Sequence, residues 1–511
     1  GDPPRMNSAI LPLFVAVPLL SAGATVLLRG PVVQRIALLL VSSATLVGGV
    51  TLLVFHQNTP ALAHSIGSYK QKMGIVFVSD TLSALLLVVT AFLTMISGIF
   101  LMLTKEDRYR FVVPLILLLN TGVNGALLTG DLFNLFVWVE VMLLPSYALI
   151  AVTGSWRRLG IGRMFVIVNI VTSTILVMGV GLLYGAIGSV NLAALAGKGG
   201  DPQVSLATSI ILFALLVKGG VVPVHGWLPR AYPATSAGIM SLFAGIHTKV
   251  GIYAAYRVYA TVFGGPAPWL PVLTAVVVAT IVVGAFSTFG ESRIRGSLAF
   301  QMVTGVGQIL IGLVVLTEFS VAAGLFYMVH HMITMAGLVL ASGAVENVYG
   351  SGRFDRLSGL MRRDPWLAVI FAIGLASLVG LPPTSGLWGK VGLLGASAQA
   401  DPVTGWLLMG CVALASVASL MALQRLWREA FWGAPMKNYL PDDPTTSRGV
   451  PTPIADDAKV SWRMLWPSTL LIGISVLLFL GVGWAWPLFE SAAHGLIDVS
   501  AYVASVDAVS E

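Results

Sequence analysis

Three lysines and a glutamate stand where a chain of this composition tolerates charge least. Lys218 ends the apolar stretch SLATSIILFALLVK, Lys249 lies in GIHTKVGIYAAY, Lys390 follows GLPPTSGLWG, and Glu140 sits in DLFNLFVWVEVMLLPSYALIA. His225, His247, His330 and His331 share the same apolar runs. Amines, imidazoles and carboxylates are the groups that accept and release protons. A charge at hydrocarbon depth costs at least about 2.5–3.5 kcal/mol, so residues of this kind mark ion or proton paths, or else pair to hold helices together. Both readings stand for Glu140 and Lys218 at this point.

The elements that must position these groups are apolar helices. The chain has 511 residues, of which 57% are hydrophobic and 10% charged, too few polar side chains to cover a water-soluble surface. About fourteen runs reach the roughly 20 residues that a bilayer-spanning helix needs. They start near Ala9, Arg35, Thr81, Phe111, Leu132, Phe165, Leu206, Ser236, Trp269, Ser297, Val321, Trp366, Thr404 and Trp466. Barrel strands are excluded, because they alternate over about ten residues. The predicted fold class is an all-α polytopic membrane protein in the lipid bilayer. The first run lacks the basic flank and small-residue cleavage site of a signal peptide. The single cysteine, Cys411, excludes an intrachain disulfide and a cysteine-ligated cluster.

Charge gives the topology. Connections after odd-numbered runs hold 21 basic residues, and those after even-numbered runs hold only Lys70, Lys72, Lys198 and Arg257. By the positive-inside rule the odd connections are cytoplasmic, and both termini are extracytoplasmic. The net charge of +7 is therefore topological, and no nucleic-acid role follows from it. On this count only Lys218, Lys249 and Lys390 are basic residues within the spans. Among carboxylates only Glu140 is well inside one, roughly 12 Å from its start at Leu132 at about 1.5 Å per residue. Asp80 and Asp131 fall near outer ends, as candidates for an entrance or as plain end-of-helix residues. Glu346 falls near an inner end.

Lys218 precedes Gly219, Gly220 and Pro223, and Lys390 follows Pro382, Pro383 and Gly386. Proline deletes a donor and clashes with the preceding turn, so both helices should break. Freed carbonyls at membrane depth need water or polar partners. Paired broken spans are the trace of inverted repeats. The two breaks lie five helices apart, giving two inverted five-helix repeats, each with one broken helix. The expected divisions are residues 1–110 (helices one to three), 111–262 (first repeat), 263–433 (second repeat), 434–464 (a mobile cytoplasmic loop) and 465–511 (the last helix and an extracytoplasmic tail).

Five segments carry a resemblance: TGDLFNLFVWVEVMLLPSYALIA, VKGGVVPVHGWLPRAYPATSAGIMSLFAGIHTKVGIYAAYR, RIRGSLAFQMVTGVGQI, FYMVHHM and GLPPTSGLWGKVGLL. They resemble the antiporter-like proton-channel family, which includes large subunits of Mrp-type multisubunit sodium/proton antiporters and membrane subunits of respiratory NADH–quinone oxidoreductase. The likeness runs from about Asp80 to Gly433, and DLFNLFVWVEVML is most similar to the D subunits of the Mrp group. It implies fourteen helices with inverted repeats, a plasma-membrane location, other membrane subunits as partners, and protons plus sodium or another monovalent cation as cargo. It matches Glu140 and Lys218 to a charged pair, Lys249 to a central basic site, Lys390 to the second half-channel, and His330 and His331 to a histidine region. The resemblance implies a lysine shortly after those histidines in many relatives, whereas this chain has Thr334 and Met335.

Burial disfavours a charged lysine, and a nearby carboxylate restores it, so separating Glu140 from Lys218 would release a proton toward Lys249. His247 and Lys249 are two apart and face different sides, so one of them is expected on the path. Three readings remain: a proton-translocating antiporter subunit, a proton-pumping subunit of a redox complex such as NADH–quinone oxidoreductase or a membrane hydrogenase, and a structural subunit. No phosphate loop, metal-ligand spacing, cofactor motif or nucleophile–base pair is recognised, and no sodium cage can be identified.

Overall fold

The computed structural model describes residues 6–69, 73–152, 156–439 and 451–510. Lys70, Lys72, the first five residues and positions 440–450 of the expected cytoplasmic loop lie outside them. Each of the fourteen apolar runs contains a helix. In chain order these are α1 (Ile10–Leu27), α2 (Pro31–His56), α3 (Thr81–Leu103), α4 (Val112–Leu128), α5 (Leu132–Ala151), α6 (Trp156–Ile187) and α7 (Pro202–Lys218). Next comes α8, built from Ala237–Leu242, a π turn at Phe243–His247 and Thr248–Phe263. Then follow α9 (Leu270–Ser287), α10 (Ile294–Ile309), α11 (Glu318–Tyr349), α12 (Pro365–Val379 and, after a break, Ser385–Ser397), α13 (Pro402–Phe431) and α14 (Trp462–Leu480). Among the described residues, ten helices are long and apolar enough to cross a membrane, and α4, α7 and the first part of α12 are shorter apolar helices. The breaks and the π turn cut the remaining runs into pieces.

Local chemistry explains the boundaries. Asp80, Asp131, Asp201 and Asp401 cap α3, α5, α7 and α13 by accepting backbone N–H bonds, and Thr317 and Ser320 form a capping box on α11. Proline at the first turn of α7 and α13 fits because no donor is lost there. Several helices start earlier than hydropathy alone suggests, so Arg35, Arg158, Arg163 and Arg295 lie inside helix ends rather than in connections.

The long helix α11 is the axis of the bundle and is buried throughout its apolar length. It packs against α3, α10, α12 and α14. With hydrocarbon on the outside, such packing rests on close fit and interhelical hydrogen bonds rather than on water exclusion.

The two predicted breaks are present. α7 ends at Lys218, and the chain turns through Gly220, at a φ of 84° that favours glycine, before the short helix Trp227–Ala231. Trp227 donates its indole N–H at 3.1 Å to the Val217 carbonyl, which also accepts from Gly220 N at 3.0 Å. In α12 the chain turns through Gly380, at a φ of 100°, and resumes at Ser385.

Two features were not expected. A hairpin of β1 (Ala61–Ser65) and β2 (Val76–Asp80) precedes α3. The tail is no loose end: α15 (Val482–Ile497) and α16 (Ser500–Ser510) bury Phe489, Leu496, Tyr502 and Val506 against the bundle and the hairpin. The flanks of the expected mobile loop are also tied down, with Asn438–Tyr439 paired to Thr452–Pro453 and Arg363 donating to the carbonyls of Met436 and Ala455.

Candidate functional site

Six of the twelve buried charged and histidine side chains among the described residues, together with the partly buried Glu140, form one row of electrostatic neighbours on α5, α7, α8, α11 and α12. Glu140 on α5 begins it; its Oε1 is buried with no hydrogen-bond partner among the described residues. Lys218 at the end of α7 is close enough to interact with the Glu140 charge, but the two form no direct ion pair. The ammonium instead donates to Asn169 Oδ1 on α6 at 3.4 Å. The two residues that the resemblance pairs are therefore neighbours without a direct bond, and the lysine is held by Asn169.

His247 and Lys249 occupy opposite sides of α8. His247 lies within electrostatic reach of Lys218, packed among Phe165, Trp227 and Phe243, with Nδ1 3.3 Å from the Tyr232 hydroxyl. Lys249 is 2% exposed, donates to Thr248 Oγ1 at 3.3 Å, and interacts with His331 on α11. Both residues thus sit in the row, one facing each neighbour.

On α11 the adjacent histidines differ. His331 stacks on Tyr327, with ring centroids 6.3 Å apart, and neither of its nitrogens has a hydrogen-bond partner among the described residues. His330 places Nδ1 2.6 Å from Ser385 Oγ. Tyr327 donates to Gln308 Oε1 at 2.5 Å and offers its ring face to Lys390, whose ammonium is 6.0 Å from the ring centroid. Lys390 donates to Ser416 Oγ on α13 at 3.0 Å, beside Cys411. Thr334, which with Met335 stands in the stretch where the resemblance puts a lysine in many relatives, lies 3.4 Å from His330 Nδ1 and 3.4 Å from Ser377 Oγ.

Three candidates stand apart from the row. His225 is half-buried in the α7 break, with Nδ1 unpartnered among the described residues. Asp131 caps α5 and lines a small cavity with Thr129, Tyr253 and Arg257. Asp80 is buried and bound by the Arg257 guanidinium at 2.6 and 2.8 Å. This corrects the sequence reading, which put Arg257 in a connection. α8 continues to Phe263, so the arginine is inside the helix and 3% exposed. Sequence reasoning also missed Asn169, Gln308, Tyr327 and the serines, and a single polar residue in an apolar helix was the only signal available for each.

The arrangement places several titratable side chains on neighbouring helices, and no group of metal-binding side chains occurs among the described residues. Residues 129–416 match the family model for the NADH:quinone oxidoreductase/Mrp antiporter transmembrane region, which contains every member of the row. The chain is 32% identical to the D subunit of the Na(+)/H(+) antiporter of Bacillus subtilis, over 98% of this chain and 99% of that one. It superposes with a TM-score of 0.92 and 36% identity on a chain of the Mrp complex from Dietzia sp. DQ12-45-1b, covering 98% and 99% of the two. A chain of the archaeal membrane-bound sulfane sulfur reductase follows at TM-score 0.85 and 25% identity, covering 97% and 99%. With its apolar helices and these matches along nearly its whole length, the chain is a multi-pass membrane protein that belongs to the NADH:quinone oxidoreductase/Mrp antiporter transmembrane family.

Proposed function

We propose that this chain is a proton-translocating membrane subunit of a multisubunit Na+/H+ antiporter in the plasma membrane. It acts as a secondary transporter component alongside other membrane subunits rather than as an enzyme. The observation that carries this reading is the full-length identity to the D subunit of such an antiporter, combined with the continuous row of titratable side chains inside the matched region.

In the proposed mechanism a proton passes between the Glu140–Lys218 pair and Lys249, with His247 beside the step, and then through the α11 histidines to Lys390. Each transfer is favoured when the neighbouring charge changes, because a like charge disfavours and an opposite charge favours the protonated amine. Sodium or another monovalent cation moves oppositely, on a route shared with partner subunits. His225, in the α7 break, would serve water entry, and Asp131 or Asp80 would flank the outer mouth. The chain makes fourteen crossings with both termini outside. Residues 111–262 and 263–433 are the two inverted repeats, flanked by 1–110, 434–464 and 465–511. The charge asymmetry of the connections supports this topology.

The second reading is a proton-pumping subunit of a redox-driven complex, which the likeness to the sulfane sulfur reductase chain favours. Everted vesicles carrying the whole complex separate the two. After respiration builds a pH gradient, sodium addition should dequench a pH dye for wild type and fail to do so for an assembled Glu140→Gln complex. A wild type indifferent to every monovalent cation points to the redox branch, and an active Glu140→Gln complex makes the pair structural.

A further inference from the structure

His330 is surrounded by a closed circuit of hydroxyls drawn from three helices. Ser385 Oγ lies 2.6 Å from His330 Nδ1, Ser475 Oγ 2.7 Å from Ser385, Ser377 Oγ 3.0 Å from Ser475, and Thr334 Oγ1 3.4 Å from both Ser377 and His330 Nδ1. All of them are at most 1% exposed. The helix break brings the two halves of α12 together here, since a Cβ at Gly386 would overlap the Ser377 carbonyl. Ser475 comes from α14, outside both proposed repeats.

We propose that this ring is what allows His330 to change protonation state in a dry interior, and that Ser385, Ser475, Ser377 and Thr334 are its positioning residues. The inference rests on the antiporter reading above. A hydroxyl both donates and accepts, so a run of them can hold the Nδ1–H of the imidazole in place. Nδ1 keeps its proton in both forms of His330 and donates to Ser385, which donates to Ser475, which donates to Ser377. Exchange then takes place at Nε2 alone: the bare nitrogen takes up a proton to give the imidazolium and returns it to give back the same neutral tautomer, so no hydroxyl gains or loses a proton. Nε2 of His330 has no hydrogen-bond partner among the described residues and is the free end for exchange. The groups that bear on it are Lys390 on α12, His331 and Tyr327 on α11, and Lys249 on α8, which acts through His331. His331, which faces Lys249, has no such ring, so hydroxyls fix the tautomer at His330 alone. Thr334 thereby completes a neutral circuit.

The test uses the whole complex in everted vesicles, with transport expressed per assembled complex. Ser475→Ala should lower the maximal sodium-dependent dequenching rate about tenfold, the scale of one unmade buried hydrogen bond, leave the sodium concentration for half-maximal rate unchanged, and alter the pH profile. Ser475→Thr, which keeps the hydroxyl, should restore rate and profile. Ser385→Ala, which cuts the ring at its shortest link, should reproduce the defect and substitutes if Ser475→Ala does not assemble. Assembled alanine variants with wild-type rate and pH profile would overturn the proposal, as would a threonine variant no better than alanine. A wild type without a sodium response overturns the antiporter reading itself, a result visible before any variant is compared.

Discussion

Asp80 and Arg257 permit a double-mutant cycle whose terms follow from their contacts. The carboxylate accepts two guanidinium N–H bonds at 2.6 and 2.8 Å and also caps α3 by accepting from Ser83 N at 3.0 Å. The guanidinium bonds the hydroxyls of Tyr253 and Ser83 as well, and faces the Tyr502 ring of α16 at 5.1 Å. The arginine and aspartate side chains are 4% and 5% exposed. Removing one partner of such a pair strands the other charge at a cost of about 3–5 kcal/mol. Asp80→Asn keeps the cap and should incur that cost alone. Asp80→Ala loses the cap too and should be about 1 kcal/mol worse. Arg257→Met should cost about as much as Asp80→Asn, because it strands the carboxylate. The double variant Asp80→Asn/Arg257→Met removes both charges and should be far milder than the sum, giving a coupling of at least about 2 kcal/mol, or roughly 30-fold in the unfolding equilibrium. Thermal unfolding of the detergent-solubilised complex, followed for this chain, reads all four corners. If the double variant is as destabilised as the sum of the singles, the pair carries no coupling and the reasoning fails.

The row offers further tests. Gly305→Ala would drive a Cβ into the His331 ring and should abolish most transport in a complex that still assembles; unchanged transport would remove His331 from the path. Asn169→Leu takes away the hydrogen bond of Lys218 and should lower the transport rate per complex about tenfold, whereas Asn169→Gln should recover part of it. Arg295 on α10 bonds Glu346 at 2.8 and 3.1 Å and the carbonyls of Pro233 and Thr235, so it ties the segment after the α7 break to α11. Arg295→Gln should destabilise the protein by about 1.5–3 kcal/mol for each charged bond it fails to replace, seen as reduced assembled complex on a native gel.

What the sequence discloses follows from how costly each feature is. A lysine or glutamate in hydrocarbon is expensive enough to be conspicuous, so Glu140, Lys218, Lys249 and Lys390 can be read directly. Proline leaves little choice, so both breaks can be placed within a few residues. Hydroxyls are different. Thr90, Thr121, Ser146 and Ser342 all return their proton to a carbonyl four residues back in their own helix, which makes a serine or threonine in an apolar span nearly free of consequence. Ser385 and Ser475 differ from these only in what the fold brings beside them, and no local pattern records that. Arg257 is misplaced by hydropathy, which falls at the arginine, while the helix continues for another turn and a half under the cover of Asp80 and Tyr502. The tail is legible but easily overlooked: Phe489, Ala492, Ala493 and Leu496 recur at i, i+3, i+4 and i+7 and are the residues that its helix buries, but the stretch is too short to stand out as a spanning run.

The two breaks are more alike in space than in sequence. Lys218 precedes its break and Lys390 follows its own, which in the sequence makes the symmetry of the two halves approximate. In the structure Lys218 is the last residue of α7, while the stem of Lys390 lies against Gly380, the residue that ends the first part of α12. Both stems therefore pass the C-terminal end of a half-helix, and both amines leave it for a polar side chain on a neighbouring helix, Lys218 for Asn169 on α6 and Lys390 for Ser416 on α13. Among the described residues neither ammonium has a carboxylate at ion-pair distance, so each is held by a neutral oxygen instead. The position of a lysine relative to its proline is free to vary between the halves, provided the stem meets the same helix end and the amine finds such an oxygen.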